Sequence, residues 1–214
     1  LNYKIPSDIS SGAFFIVLTA LSNKSKLLIK NVNINPSRIG IITILKKMGV
    51  NIQFKNKKNY KGELLADISI TSTKKLKAIN CPQKLNSGAI DEFLLIFLVA
   101  STCRGVSTFK NLSELNKKES KRLDWGIKIL NMMNIKTKKI KNAGIKIWGK
   151  PNLNLDKTYI IKDYLKDHRV FMSATIAGLA LGGNWKIYNP ESFKTSFPSF
   201  LKILRNLGAI IKTK

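Results

Sequence analysis

At 214 residues and 44% hydrophobic composition, the chain has apolar material for one large domain or two small ones. Its longest apolar runs, residues 93–100 and 170–181, fall short of the roughly 20 residues that a membrane helix needs, so no helical span is expected. The net charge of +26 comes from 38 basic and 12 acidic residues, and 33 of the basic ones are lysines spread among Asn and Ile. That scatter reads as a coding bias toward Lys, Asn and Ile, and nucleic acid is set aside as a partner. A basic, noncatalytic nucleic-acid-binding module is kept as the alternative from another class, with salt-sensitive binding as its signature. Cys81 and Cys103 lie 22 residues apart without metal-ligand spacing and read as reduced thiols of a cytoplasmic protein. The opening "LNYKIPSD" has no initiator Met and no leader, and reads as the interior of a longer protein.

In chain order, hydrophobic periodicity yields a unit that recurs. A short strand "NYKI" precedes the apolar helix "SDISSGAFFIVLTALS", which opens with residues suited to N-capping. A strand "KLLIKNV", a helix "PSRIGIITILKKMG" and two strands, "VNIQFK" and "ADISIT", complete the first unit. The second runs through strand "KAINCP", helix "IDEFLLIFLVASTCRG", strand "VSTFKNL", helix "KKESKRLDWGIKILNMMN" and strands "IKTKKIK" and "IKIWGK". The third offers strand "TYIIKDY", helix "KDHRVFMSATIAGLALGG", strand "WKIYNP", helix "SFPSFLKILRNLGA" and a closing "IIKTK". The expected fold is therefore α/β (α+β), a single domain of three βαβαββ repeats at about 1–74, 75–150 and 151–214, the last incomplete. An exposed strand edge follows, and a segment outside this chain is expected to cover it.

Helix starts present unpaired N–H groups and attract anions. Unusual polar residues gather at equivalent starts: Ser10 and Ser11, Asp91 and Glu92, Lys118, Glu119 and Arg122, and Asp167, His168 and Arg169. Taken singly, Asp91 reads as a cap, Lys118–Glu119–Arg122 as a solvated helix face, and His168 as a structural histidine. Only as a set at matching helix ends do they suggest a site.

These residues also carry a resemblance. "SDISSGAFF", "NVNINPSRIGIITILKKMG", "ELNKKESKRL", "KDHRVFMSATIAGLALGG" and "TSFPSF" resemble, in order along nearly the whole chain, the 5-enolpyruvylshikimate-3-phosphate (EPSP) synthases, or 3-phosphoshikimate 1-carboxyvinyltransferases. The sister enolpyruvyl transferases acting on UDP-N-acetylglucosamine share the repeat but not the "DHR" motif. The resemblance implies two domains of three units each, closing over substrates, with this chain as the C-terminal part and its N-terminal partner domain absent. It implies transfer of the enolpyruvyl group of phosphoenolpyruvate to the 5-hydroxyl of shikimate 3-phosphate, releasing phosphate, in aromatic amino-acid biosynthesis and without metal or organic cofactor. By motif, Asp91 matches a substrate-contacting proton acceptor, Glu119 a residue in proton transfer, and Lys118 a shikimate 3-phosphate ligand. Arg122 and Arg169 match phosphoenolpyruvate ligands, and Asp167 and His168 are neighbours expected to orient Arg169. Lys194 is a candidate one position out of register with a family lysine. Departures from the family pattern are Ser7 for a glycine, and Asn116, Lys117 and Lys121 within "ELNKKESKR".

Overall fold

The computed structural model describes residues 5–213. Helix α1 (Ile9–Leu21) is followed by β1 (Lys26–Asn33), α2 (Gly40–Lys47), β2 (Asn51–Tyr60) and β3 (Glu63–Thr71). The second unit holds α3 (Phe93–Thr102), β4 (Gly105–Phe109), α4 (Arg122–Met132), β5 (Thr137–Ile140) and β6 (Gly144–Gly149). The third holds β7 (Leu155–Ile161), α5 (His168–Leu181), β8 (Gly182–Ile187) and α6 (Phe200–Asn206).

Sheet order exposes the repeat. The last strand of each complete unit pairs antiparallel with both others, giving β1-β3-β2 and β4-β6-β5. A leading segment lies parallel to the first strand of each: Ser7 bridges Val32, and Lys77 and Asn80 bridge Arg104 and Thr108. In the third unit the leading segment is a full strand, β7, parallel to β8. Only two isolated bridges mark "KAINCP" as extended, and residues 2–4 of the expected first strand lie outside the described residues. The expected strand at "IIKTK" is not formed over residues 210–213, so among the described residues the third sheet has two strands and β8 keeps one unpaired edge.

Ten of the 13 residues of α1 and nine of the ten of α3 are buried, as befits helices apolar on every side. Helices α1, α3 and α5 pack on one another, while α2 touches α3 and α4 touches α5. The cycle closes through α6, whose Phe200 meets Phe14 of α1 edge-to-face at 5.6 Å. One continuous core joins the three units.

Two local devices aim the polar ends. A Cβ on Gly40, at the start of α2, would come within 2.5 Å of Gly88 backbone, so this glycine lets α2 abut the 3₁₀ turn Ser87–Glu92 that carries Asp91. Gly182 (φ 85°) and Gly183 (φ 81°) end α5 in left-handed conformations and turn the chain straight into β8. Both cysteines are buried free thiols, their pKa values raised by burial to about 11 for Cys81 and about 12 for Cys103. Among the described residues no helix is long and apolar enough to cross a membrane.

Candidate active site

Three helix starts meet at one end of the domain. Asp8 caps α1, its Oδ2 accepting the Ser11 N–H at 2.8 Å. Asp167 caps α5, its Oδ1 accepting the N–H groups of Arg169 at 2.8 Å and Val170 at 3.4 Å. The start of α3 is the Ser87–Glu92 turn, so Asp91 and Glu92 stand before the helix rather than inside it. Two of the three positive helix ends thus spend their field on the protein's own carboxylates.

The stretch before α4 departs from expectation. Residues 118–121 were expected within a helix, yet α4 begins at Arg122 and Lys118 is extended. Tertiary partners draw the segment off the helix: Asn116 Oδ1 accepts the Leu123 N–H at 3.0 Å, and Ser120 donates to Asp167 Oδ2 at 2.8 Å. Asn116 is therefore a side-chain cap for α4, which accounts for one departure from the family pattern. Lys121 and Lys117 are exposed, the latter paired with Glu114.

Arg122 is the hub, its side chain only 2% exposed. Its Nε donates to Asp167 Oδ2 at 2.9 Å, its Nη1 to Asp91 Oδ1 at 3.0 Å, and its Nη2 to Glu119 Oε2. A guanidinium fork suits this, since its donors are fixed in one plane and it stays charged when buried. Lys118 Nζ reaches the same Asp91 oxygen at 3.1 Å. Arg169 Nη1 donates to the Asp91 carbonyl at 3.2 Å and to Glu92 Oε1 at 3.1 Å. His168 Nδ1 lies 3.9 Å from Glu119 Oε1.

Burial alone would raise the Asp91 and Asp167 carboxyls. For Asp91 the Lys118 hydrogen bond and the charges of Arg169, Lys118 and Arg122 outweigh it; for Asp167 Arg122 and Ser120 do so. Both stay below the usual carboxylate range. For Glu92 burial wins over Arg169 and Ser10, and the carboxyl is raised. Burial, with the Arg169 charge, lowers the His168 pKa and keeps this imidazole neutral at pH 7.

The structure thus brings Asp91, Lys118, Glu119, Arg122, Asp167, His168 and Arg169 together. The side chain that Asp167 grips is Arg122, whereas its bond to Arg169 is through the backbone. Lys194 stays outside, exposed and paired with Glu191 at 3.4 Å. The contact role of Glu92 was not evident from the sequence beyond its place beside Asp91. Ser10 and Arg38 join it, Arg38 Nη2 donating to Ser10 Oγ at 3.3 Å and pairing with Asp8 at 3.4 Å. The signal for them was their position at a helix start.

Chemically, an ionised acceptor (Asp91), a partly exposed carboxyl beside a neutral imidazole (Glu119 and His168), and three cations fall within one cluster. Four carboxylates face three cations, so the cluster is not a bare positive pocket. A bound anion must compete with carboxylates for Lys118 and Arg122.

The three-fold βαβαββ-type domain has the fold of the enolpyruvyl transferases. The enolpyruvyl transferase NikO from Streptomyces tendae superposes with a TM-score of 0.70 over 98% of this chain and 45% of its own, at 14% identity, a likeness of fold alone. The EPSP synthase of Acinetobacter baumannii superposes with a TM-score of 0.90 at 35% identity, over 97% of this chain and 47% of that one. The family model for EPSP synthase (3-phosphoshikimate 1-carboxyvinyltransferase) matches residues 1–204, and the chain belongs to that family. Curated relatives named 3-phosphoshikimate 1-carboxyvinyltransferase are 40% identical in Ruthia magnifica subsp. Calyptogena magnifica and 36% identical in Hydrogenovibrio crunogenus. They match over 96% and 97% of this chain but only 46% and 45% of their own length. The chain spans about half the length of the curated relatives it matches.

Proposed function

We propose that this chain is the C-terminal domain of an enzyme that moves the enolpyruvyl group of phosphoenolpyruvate onto the 5-hydroxyl of shikimate 3-phosphate and releases phosphate. A second domain of the same protein supplies the remaining substrate contacts. The observation that carries the reading is the Arg122 hub, which gathers Asp91, Glu119 and Asp167 beside Lys118 and Arg169.

The transfer needs a base for the hydroxyl, an acid for the methylene, and cations to hold two anions against their mutual repulsion. Asp91 is ionised at neutral pH and so can accept the hydroxyl proton. While Lys118 and Arg122 both hold it, it is a weak base. A substrate phosphate that draws Lys118 away strengthens it, so substrate binding itself prepares the acceptor. Glu119, half-exposed and touching both Arg122 and His168, is the group placed to pass a proton to the methylene. Arg169 and Arg122 hold phosphoenolpyruvate. Cytoplasmic residence fits this chemistry.

The test is turnover of the full-length protein, read as phosphate release with both substrates present. Wild type should turn over, Asp91→Asn should lose about 100-fold or more in kcat, and Arg169→Ala should raise the KM for phosphoenolpyruvate roughly 10- to 100-fold. Full turnover in Asp91→Asn would remove it from the catalytic role.

A further inference from the structure

The two arginines are held very differently. Arg122 has a carboxylate on each of its three nitrogens, whereas Glu92 is the one carboxylate bonded to Arg169 among the described residues. Arg169 Nη1 is engaged by Glu92 and the Asp91 carbonyl, while Nε is buried without a partner among the described residues. The Phe14 ring flanks the guanidinium, 5.8 Å from its central carbon. The plane of the group is therefore set by one ring and one edge, and Glu92 supplies the charged part of that edge.

Glu92 is itself 4% exposed and secured from behind. Ser10 stands beside its carboxylate, near enough to act against the rise in its pKa, and the Ser10 hydroxyl accepts from Arg38, which Asp8 holds in turn. This chain runs from the helix starts of the first unit through the second to Arg169 in the third. A buried ion pair contributes little net stability over apolar packing of the same volume, so stability alone does not explain one here. What it does supply is a fixed direction for a planar donor group.

We propose that Glu92 is a positioning residue for phosphoenolpyruvate: it fixes the Arg169 guanidinium through Nη1, and Ser10, braced by Arg38, fixes Glu92. The inference rests on the proposed function and deepens it, since it predicts an effect on one substrate and not the other. Lys118, the residue assigned to shikimate 3-phosphate, pairs with Asp91 and not with Glu92.

The experiment is steady-state kinetics of the full-length enzyme, varying each substrate in turn, with thermal melts of every variant. Glu92→Gln keeps the shape and an acceptor oxygen but loses the charge-assisted bond. It should raise the KM for phosphoenolpyruvate roughly tenfold or more, with a smaller change in kcat and a KM for shikimate 3-phosphate close to wild type. Ser10→Ala, which leaves Glu92 in place without its brace, should shift the same KM in the same direction by a few-fold. An unchanged phosphoenolpyruvate KM in a folded Glu92→Gln enzyme overturns the inference, as does an equal rise in both KM values. If Glu92→Gln fails to fold, the Ser10→Ala result decides by the same criteria. Absence of turnover in wild type would instead overturn the proposed function, and the inference with it.

Discussion

Arg122 is buried because three carboxylates compensate it, and each of those carboxylates is held partly by Arg122 in return. Asp167 is the most buried of the three and also caps α5, so Asp167→Asn leaves a buried guanidinium short of charge. Breaking such a pair costs about 3–5 kcal/mol, which should appear as a lower urea midpoint with an unchanged slope. The pH dependence has a definite sign. Asp91 and Asp167 titrate below their ordinary 3.8 in the folded chain, so the unfolded chain takes up protons first on acidification. Their contribution is complete above about pH 4 and is lost as pH falls through the depressed native values. Stability of the Asp167→Asn variant should accordingly vary less with pH on the acid side, as equilibrium unfolding at a series of pH values will register.

Among the elements, the Ser87–Glu92 turn matters most, because it carries both Asp91 and Glu92 and is itself only a short 3₁₀ segment. Its position depends on the start of α2, where Gly40 and Gly88 meet backbone to backbone. Gly40→Ala has no backbone strain of its own, yet its methyl would demand the space the turn occupies. Overpacking of this kind costs about 1–3 kcal/mol, and calorimetry should show a lowered Tm. The start of α4 rests on one cap, and Asn116→Ala should cost about 1 kcal/mol without touching any proposed ligand. Periodicity located the six α-helices of the described residues, but the helix expected to contain Lys118 and Glu119 begins only at Arg122. A helical i, i+4 pattern there was overridden by bonds to Leu123 N–H and to Asp167, partners that local propensity does not register.

At the scale of the whole molecule, four of the chain's 12 acidic residues lie in one cluster, leaving the rest of a +26 surface strongly cationic. Such a surface draws anionic small molecules by a long-range, salt-screened attraction. The third sheet stops at β8, whose outer edge is unpaired among the described residues. Amide hydrogen exchange should find the β8 edge open in the isolated chain and protected in the full-length protein, while central β3 and β6 stay protected in both. Equal, fast exchange at β8 in both would count against another segment covering it.

Repetition, helix starts and the gathering of polar residues at equivalent points were legible in the sequence, because apolar period and capping chemistry act within a few residues. The family likeness was legible too, in motifs that keep Lys118, Glu119, Arg122 and Asp167–His168–Arg169 despite substitutions around them. What only the tertiary structure decided was pairing: Arg122 with Asp91 and Asp167, Arg169 with Glu92, Ser10 with Arg38. Those contacts join residues 28 to 77 positions apart. No local rule selects one carboxylate among several for a given arginine; the packing of three helix starts against one another does.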